Sequence, residues 1–261
     1  MRTEIVSYSY DDRKAKAEKR RLYEIETFDI AGNLLRDIDY SSDGSVLNDE
    51  RNLCRTGRVV ETVRKHSPFT YLPDRVVYKH DATGNVIEEN GYDLAGKLVS
   101  NHIYEYNDRG RKVRWTSKSF FQNEDKRTHR WTFTYDDRGR VREERAYLDA
   151  GKDFIPTDEL GGPHRKLYMY SDLTRSNVTV KFDARGVFVG SSVSRYDSKG
   201  NELEDIVFDQ KGELKEKTRY VYVFDSLGNW TVQKTYEWDI ENGKGYYRLE
   251  EISYRTITFY R

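Results

Sequence analysis

Polar and apolar residues alternate one by one along most of this chain, and the alternation is broken at short intervals by glycine. Tyr220, Tyr222 and Phe224 share one face of such a run, and Trp131, Phe133 and Tyr135 share one face of another. After the turns, Val113 and Trp115 alternate with Lys112 and Arg114, as Trp230 and Val232 do with Thr231 and Gln233. A period of two sends successive side chains to opposite faces, which predicts half-buried β-strands with a ring-bearing face and a charged face. Helical spacing is nearly absent, with residues 11–21 the one credible exception.

The punctuation is itself a phrase: an aromatic, usually Asp, two loose residues, Gly, a polar residue, an aliphatic. It reads Phe28-Asp29-Ile30-Ala31-Gly32-Asn33-Leu34, Tyr92-Asp93-Leu94-Ala95-Gly96-Lys97-Leu98 and Tyr135-Asp136-Asp137-Arg138-Gly139-Arg140-Val141. It returns at Phe208-Asp209 with Gly212 and Leu214, and at Phe224-Asp225 with Gly228 and Trp230. Asp can bind backbone amides of the turn, and Gly takes the positive φ that closes it. Turn glycines are expected at Gly32, Gly44, Gly57, Gly84, Gly96, Gly110, Gly139, Gly151, Gly186, Gly200, Gly212 and Gly228, many of them 12 to 14 residues apart. That spacing holds two short strands with their turns.

A longer period overlies the short one. Gly32, Gly44 and Gly57 map onto Gly84, Gly96 and Gly110 with shifts of 52, 52 and 53 residues. In a third unit the last turn has lost its glycine, where Tyr168-Met169-Tyr170-Ser171-Asp172-Leu173 matches Tyr222-Val223-Phe224-Asp225-Ser226-Leu227. The chain therefore reads as one domain, 1–261, with units at roughly 20–75, 76–130, 131–192 and 193–261, after an N-terminal strand and charged turn over 1–19. The fold class is all-β: an antiparallel meander of consecutive hairpins, about 18 strands in an elongated sheet that coils or curls. Uncurled, it would run on the order of 80 Å.

Strand parity sorts the turns. Gly32, Gly57, Gly84, Gly110, Gly139, Gly200 and Gly228 fall at one end; Gly44, Gly96, Gly151 and Gly212 fall at the other, with the long connections 66–74, 121–128, 152–165 and 239–246. Insertions in repeat arrays collect on one rim, often the binding side. The last strand, Ile252 to Tyr260, is partly apolar on both faces and is expected to tuck under the sheet or meet a partner strand.

Composition changes the picture in two ways. Leu, Ile, Val and Phe supply only about 22% of the residues, while tyrosine contributes 21 copies, so a thin, aromatic-rich structure is expected in place of a thick aliphatic core. Charge is abundant and balanced, 45 basic against 45 acidic residues, which gives no long single-sign field for nucleic acid or an anionic membrane. The basic stretch Arg13 to Arg21 also carries Glu18 and reads as a solvated turn or short helix. Cys54 stands alone, so no intrachain disulfide forms. No apolar run is long enough for a transmembrane helix, and the start has no apolar signal core. Localisation is left between the cytoplasm and, if a leader was removed, the cell envelope.

The aromatic-Asp-x-x-Gly-x-aliphatic phrase resembles the YD repeat of RHS-type bacterial proteins. The stretch Asp225-Ser226-Leu227-Gly228-Asn229-Trp230-Thr231, followed by Tyr254-Arg255-Thr256-Ile257-Thr258-Phe259-Tyr260, is similar to the ends of short RHS-repeat proteins of environmental bacteria. The resemblance covers nearly the whole chain and implies architecture, not activity. In the large relatives such repeats form a β-sheet shell around a toxin domain. This chain is far shorter and carries no obvious C-terminal toxin or self-cleaving segment.

Chemistry is sparse. His66, His80, His102, His129 and His164 show no metal-ligand spacing. Paired acids such as Asp136-Asp137, Glu143-Glu144 and Glu88-Glu89 recur at turn or strand positions, where capping and solvated faces account for them. No calcium loop, nucleophile elbow or P-loop occurs, and neither a cofactor nor a metal is expected. Two glycosylation-like triplets, at Asn177 and Asn229, follow repeat turns and match by chance. The four tryptophans Trp115, Trp131, Trp230 and Trp238 could offer a platform for sugar rings or an apolar partner, or could pack on one another across strands.

The expectation is a non-catalytic β-repeat scaffold that engages a protein or glycan through its long-loop rim or terminal strand, edge-to-edge pairing of two copies included. Three alternatives stand beside it: a cell-surface carbohydrate-binding module, a relative of the toxin-encapsulating shells, and a hydrolase within 152–165 that uses His164.

Overall fold

The structure, a computed structural model, describes residues 2–11, 21–41, 43–66, 72–120, 128–149, 154–156, 164–241 and 243–260. They form nineteen strands: β1 (Arg2–Asp11), β2 (Arg21–Phe28), β3 (Leu34–Tyr40), β4 (Val46–Arg55), β5 (Arg58–His66), β6 (Arg75–His80), β7 (Val86–Tyr92), β8 (Leu98–Tyr106) and β9 (Lys112–Ser119). There follow β10 (Thr128–Tyr135), β11 (Val141–Asp149), β12 (Phe154–Pro156), β13 (Arg165–Ser171), β14 (Ser176–Phe182) and β15 (Phe188–Tyr196). The last are β16 (Glu202–Phe208), β17 (Leu214–Phe224), β18 (Trp230–Glu241) and β19 (Lys244–Tyr260). Of the stretch 11–21 expected to allow a helix, Asp11 ends β1 and Arg21 begins β2; residues 12–20, Gly151 and most of the long connections fall outside the described residues.

From β2 onward each strand pairs antiparallel with the next, and the three-residue β12 is bypassed by direct pairing of β11 with β13. β1 pairs on one side with β2, where Val6 opposes Ile25, and on the other with β19, where Val6 opposes Thr256. The ladder thus returns to its start. The same circuit is felt electrostatically, since Arg255 of β19 acts on Glu24 of β2 across the intervening β1. The predicted curl therefore goes as far as closure. Of the two expectations for the terminal strand, the second holds: it meets a partner strand, and that partner is β1 of its own chain.

Closure explains why so little is buried. Only Ile38, Val76, Val99, Ala146 and Leu148 form the buried apolar set among the described residues. The chain exposes 16820 Å², against about 12,000 Å² for a compact fold of its mass. Eighteen full strands at ~4.8 Å spacing give a ring with a backbone diameter on the order of 30 Å, too wide for opposite walls to meet. The described residues thus form a thin-walled barrel with no packed core across its middle.

Which face points inward follows from crowding. Met169 is 54% exposed and Val63 42%, while Thr62 and Val76, on the opposite face of β5 and β6, are 1% and 0% exposed. Side chains converge on the concave side and splay on the convex side, so the Thr62 face is the inner wall. It carries Tyr78, Tyr104, Trp115, Trp131, Phe133, Tyr168, Tyr170, Tyr220, Tyr222 and Trp230.

Two details differ from simple alternation. Most tight turns are accompanied by a one-residue register shift, as between Glu105 and Tyr106 or between Val223 and Phe224, but the turn between β13 and β14 has none. The extra residue puts Lys112 on the same inner face as Trp115, and separates Trp230 (inner) from Val232 (outer), because a bulge resets the two-residue period. Turn aromatics also divide by rim. Phe28, Tyr106 and Tyr135 point inward at the rim that holds Gly32, Gly110 and Gly139; Tyr40, Tyr92 and Phe208 point outward at the opposite rim.

Candidate functional site

The tight-turn rim is built by one repeated set of hydrogen bonds. At Gly32 (φ 84°), Asp29 Oδ1 accepts from the amides of Ala31 and Asn33 at 2.8 Å each, and Asn33 Nδ2 donates to Oδ2 at 2.7 Å. Asp136, Asp197 and Asp225 repeat the two amide bonds. These bonds favour the charged form, and the Asn33 side chain first of all holds the Asp29 carboxyl below its usual value. Asn201 does the same for Asp197, and Asn229 for Asp225.

Successive turns of this rim are clasped together by their rings. Tyr106 Oη donates to the Val86 carbonyl at 2.8 Å, Tyr170 Oη to the Val141 carbonyl at 2.8 Å, and Tyr135 Oη to the Lys112 carbonyl. Each acceptor lies just past the glycine of the preceding turn on that rim. Cations close the same gaps: Arg111 lies 5.7 Å from the Tyr135 ring, Arg140 4.4 Å from Tyr170 and Lys199 4.7 Å from Phe224. The turn without glycine joins the series through Arg175, at φ 47°. Beside it lies a cleft of about 280 Å³ lined by Arg140, Tyr170, Asp172, Arg175, Asn177 and Tyr196.

The inner wall has a ring sector and an acidic sector. In the first, Trp115 stacks on Trp131 at 4.1 Å and lies near-parallel to Tyr104 at 6.3 Å, so its indole sits between two rings. Its Nε1 donates to His102 Nδ1 at 3.2 Å. Burial lowers the His102 pKa, against a weaker upward pull from Glu89. Lys112 Nζ lies 5.1 Å from the Phe133 ring and 5.6 Å from Tyr104, so this wall already holds one ammonium among its rings.

In the acidic sector Glu24, Glu26, Asp37, Asp39 and Glu50 sit side by side on β2, β3 and β4. Oxygens of Glu24, Asp37 and Asp39 lie within 4.8 Å of one another. Glu50 is paired with Arg64 at 2.7 Å and Asp39 accepts from Asn48 at 3.3 Å, but Asp37 Oδ1 is buried without a partner. Desolvation, then the charges of Asp39, Glu24, Glu26 and Glu50, push the Asp37 carboxyl up to about 7.

The outer wall is cationic. Its few carboxylates are bracketed by bases: Asp49 by Arg36 (2.7 Å) and Arg51 (3.1 Å), Glu204 by Arg195 (2.8 Å) and Lys217 (3.1 Å), and Glu143 by Arg145 (2.9 Å) and Arg165. Arg36 is the main reason Asp49 falls to about 2. Along the paired strands, bases outnumber acids about two to one outside, and acids outnumber bases about two to one inside.

Of the four tryptophans, the structure brings only Trp115 and Trp131 together. Trp230 lies elsewhere on the inner wall with Arg255 4.9 Å from its ring, and Trp238 is on the outer wall, edge-on to Tyr247 at 5.1 Å. Gly32, Gly44, Gly84, Gly96, Gly110, Gly139, Gly200, Gly212 and Gly228 all have positive φ. His164 is buried, with Nδ1 against the Ala146 carbonyl and its ring edge-on to Tyr147. The acidic sector escaped the sequence reading. Its signal was the pair of alternating acids Glu24-x-Glu26 and Asp37-x-Asp39 flanking the Gly32 hairpin, which must face one another once the hairpin closes.

No known protein family and no curated protein matches the chain. Among solved structures it is similar to a porin-like protein from Bacteroides uniformis ATCC 8492, at 14% identity and a TM-score of 0.50, covering 98% of this chain and 96% of that one. It also aligns with chains of a TcdB2-TccC3-Cdc42 structure (12% identity, TM-score 0.34) and of a Photorhabdus luminescens Tc holotoxin pore (14%, 0.36). In both it covers 88% of this chain, but only 13% and 15% of the longer partner. The first likeness is one of fold alone, over nearly the full length of both chains.

A lipid-facing belt does not come with that fold. Arg or Lys on the outer face of a membrane barrel costs about 2–4 kcal/mol near the midplane. Here Arg36, Arg51, Arg75, Arg114, Arg145, Arg165 and Arg195 ring the outer wall, and the inner wall is no more apolar. No helix among the described residues is long and apolar enough to cross a membrane.

Proposed function

We propose that this protein is a non-catalytic binding scaffold, a closed β-repeat frame that engages a macromolecular partner along its inner wall. The observation that carries the reading is the hollow ring itself. A thin wall closed by β1 holds rings and carboxylates around an interior about 15–20 Å across, and among the described residues no side-chain core fills it. The outer carboxylates are already taken up by neighbouring cations, whereas the concave side keeps a buried carboxylate oxygen, Asp37 Oδ1, with no donor. The YD-like phrase supports the same reading, because its turns clasp one another and leave the wall free.

A photo-crosslinking residue tests this. Thr179 points inward and its neighbour Val178 outward on β14. With benzoylphenylalanine at position 179, a discrete adduct is expected from an extract of the cells that make the protein; an adduct from position 178 alone would refute the inner-wall reading. Turnover of a generic ester, glycoside or peptide, lost in His164→Ala, would overturn the non-catalytic part. A glycan partner is the second reading. It draws on Trp131 and Trp230, since Trp115 is flanked by Trp131 and Tyr104.

A further inference from the structure

The two walls carry opposite charge although the chain sums to +0. Inside, the acidic sector is joined by Glu89, Glu144 and Asp205, with Arg64, Lys112 and Lys166 among the few bases. Outside, the surplus runs the other way. We infer that the partner held by the inner wall is a polycation, a lysine- and arginine-rich polypeptide segment attracted by the inner carboxylates and repelled by the outer cations. The inference rests on the scaffold reading and adds the chemistry of the occupant.

Three observations support it independently of one another. The wall-wide excess sets the sign of the field within the ring, and low-dielectric walls focus such a field. Asp37 Oδ1 is a buried acceptor with no donor, and an ammonium or guanidinium supplies one. Lys112, lodged among Tyr104, Trp115 and Phe133, shows that the ring sector accepts a cation as well as the acidic sector does. The interior is wide enough for an extended or helical segment, since a helix with its side chains is ~10–12 Å across.

Fluorescein-labelled dodecalysine, with dodecaglutamate as control, tests this on the full chain by fluorescence anisotropy at about 50 mM and about 200 mM NaCl. Dodecalysine is expected to bind at the lower salt and to weaken sharply at the higher. The inner variant Glu26→Gln/Asp37→Asn/Asp39→Asn is expected to lose about tenfold or more in affinity, while the outer variant Glu61→Gln/Glu88→Gln/Glu105→Gln stays within about twofold. Both remove three carboxylates, so at about pH 8.5, where Asp37 is ionised, overall net charge changes equally and only the wall differs. The inner variant relieves like-charge crowding, so it folds at least as well, which its melting temperature checks. Tighter binding of dodecaglutamate, or equal losses in both variants, overturns the inference. If position 179 still yields its adduct while dodecalysine neither binds nor competes, the polycation falls and the scaffold stands. If there is neither adduct nor binding, both fall.

Discussion

Asp37→Asn should make the protein more stable, and more so at higher pH. The carboxyl rises from 3.8 to about 7 because burial and four neighbouring acids oppose its ionisation. About 3 units at 1.36 kcal/mol each is ~4 kcal/mol before screening. Asp37 is only half-buried, and solvent screening reduces the figure to about 1–2 kcal/mol. Below pH ~4 both folded and unfolded states are protonated and the penalty vanishes. Between ~4 and ~7 the folded state binds the extra proton, so stability falls as pH rises, and above ~7 the full penalty applies. Asn keeps the shape and adds an N–H that can serve neighbouring carboxylates. Urea denaturation at pH 5 and pH 8 is the assay. The variant's gain at pH 8 should exceed its gain at pH 5 by about 1 kcal/mol, or roughly 2–4 °C in melting temperature. A gain independent of pH, or larger at pH 5, would refute the claim that the inner acids crowd one another.

Other parts of the architecture give separate tests. Cysteines at Ser9 and Ser253, which oppose each other in the β1–β19 ladder, should cross-link within one chain in a Cys54→Ser background; dimers alone on a non-reducing gel would mean the ring is open. Tyr170→Phe keeps the ring but removes the donor to Val141, at a cost of about 1 kcal/mol in chemical denaturation. Gly84→Ala should lower the melting temperature more than Gly96→Ala. Both have positive φ, but only at Gly84 does an added Cβ meet a side chain, the Arg58 guanidinium at 2.7 Å. At acid pH the turn aspartates decide. Their lowered pKa values give stability that is complete above pH ~4 and lost as pH falls through the folded-state value, so Asp225→Asn should flatten that acid limb. Asn107, which already accepts the amides of Arg109 and Arg111 in the same turn geometry, shows that the amide can hold the turn.

The hairpin order was legible because its signals are local. Asp and Gly at fixed offsets set each turn within a few residues, and alternation sets each strand. The bulges were not legible, since the phrase Gly-x-aliphatic does not reveal that one residue is skipped, and Lys112 was therefore assigned to the wrong face relative to Trp115. Closure was hidden for a different reason. Ile252 to Tyr260 is partly apolar on both faces whether it meets β1 of its own chain or a second copy. What decides is the accumulated twist of some eighteen strands, a sum of small angles that no single residue encodes.

The charge pattern was lost to the sequence reading for the most instructive reason. A net of +0 with both signs mixed at close range looks like a neutral, solvated surface. In a strand, however, close range means alternate faces. Glu24 and Glu26 are separated by Ile25, and Asp37 by Ile38 from Asp39, so each pair lands on one wall. Arg36 and Arg51, close to those acids in sequence, are carried to the other wall with Asp49. Summing charge along the chain averages over the two-residue period and cancels a difference that the folded sheet keeps. For a thin closed wall the meaningful quantity is charge per face, and on that measure the inner wall is net acidic and the outer wall net basic.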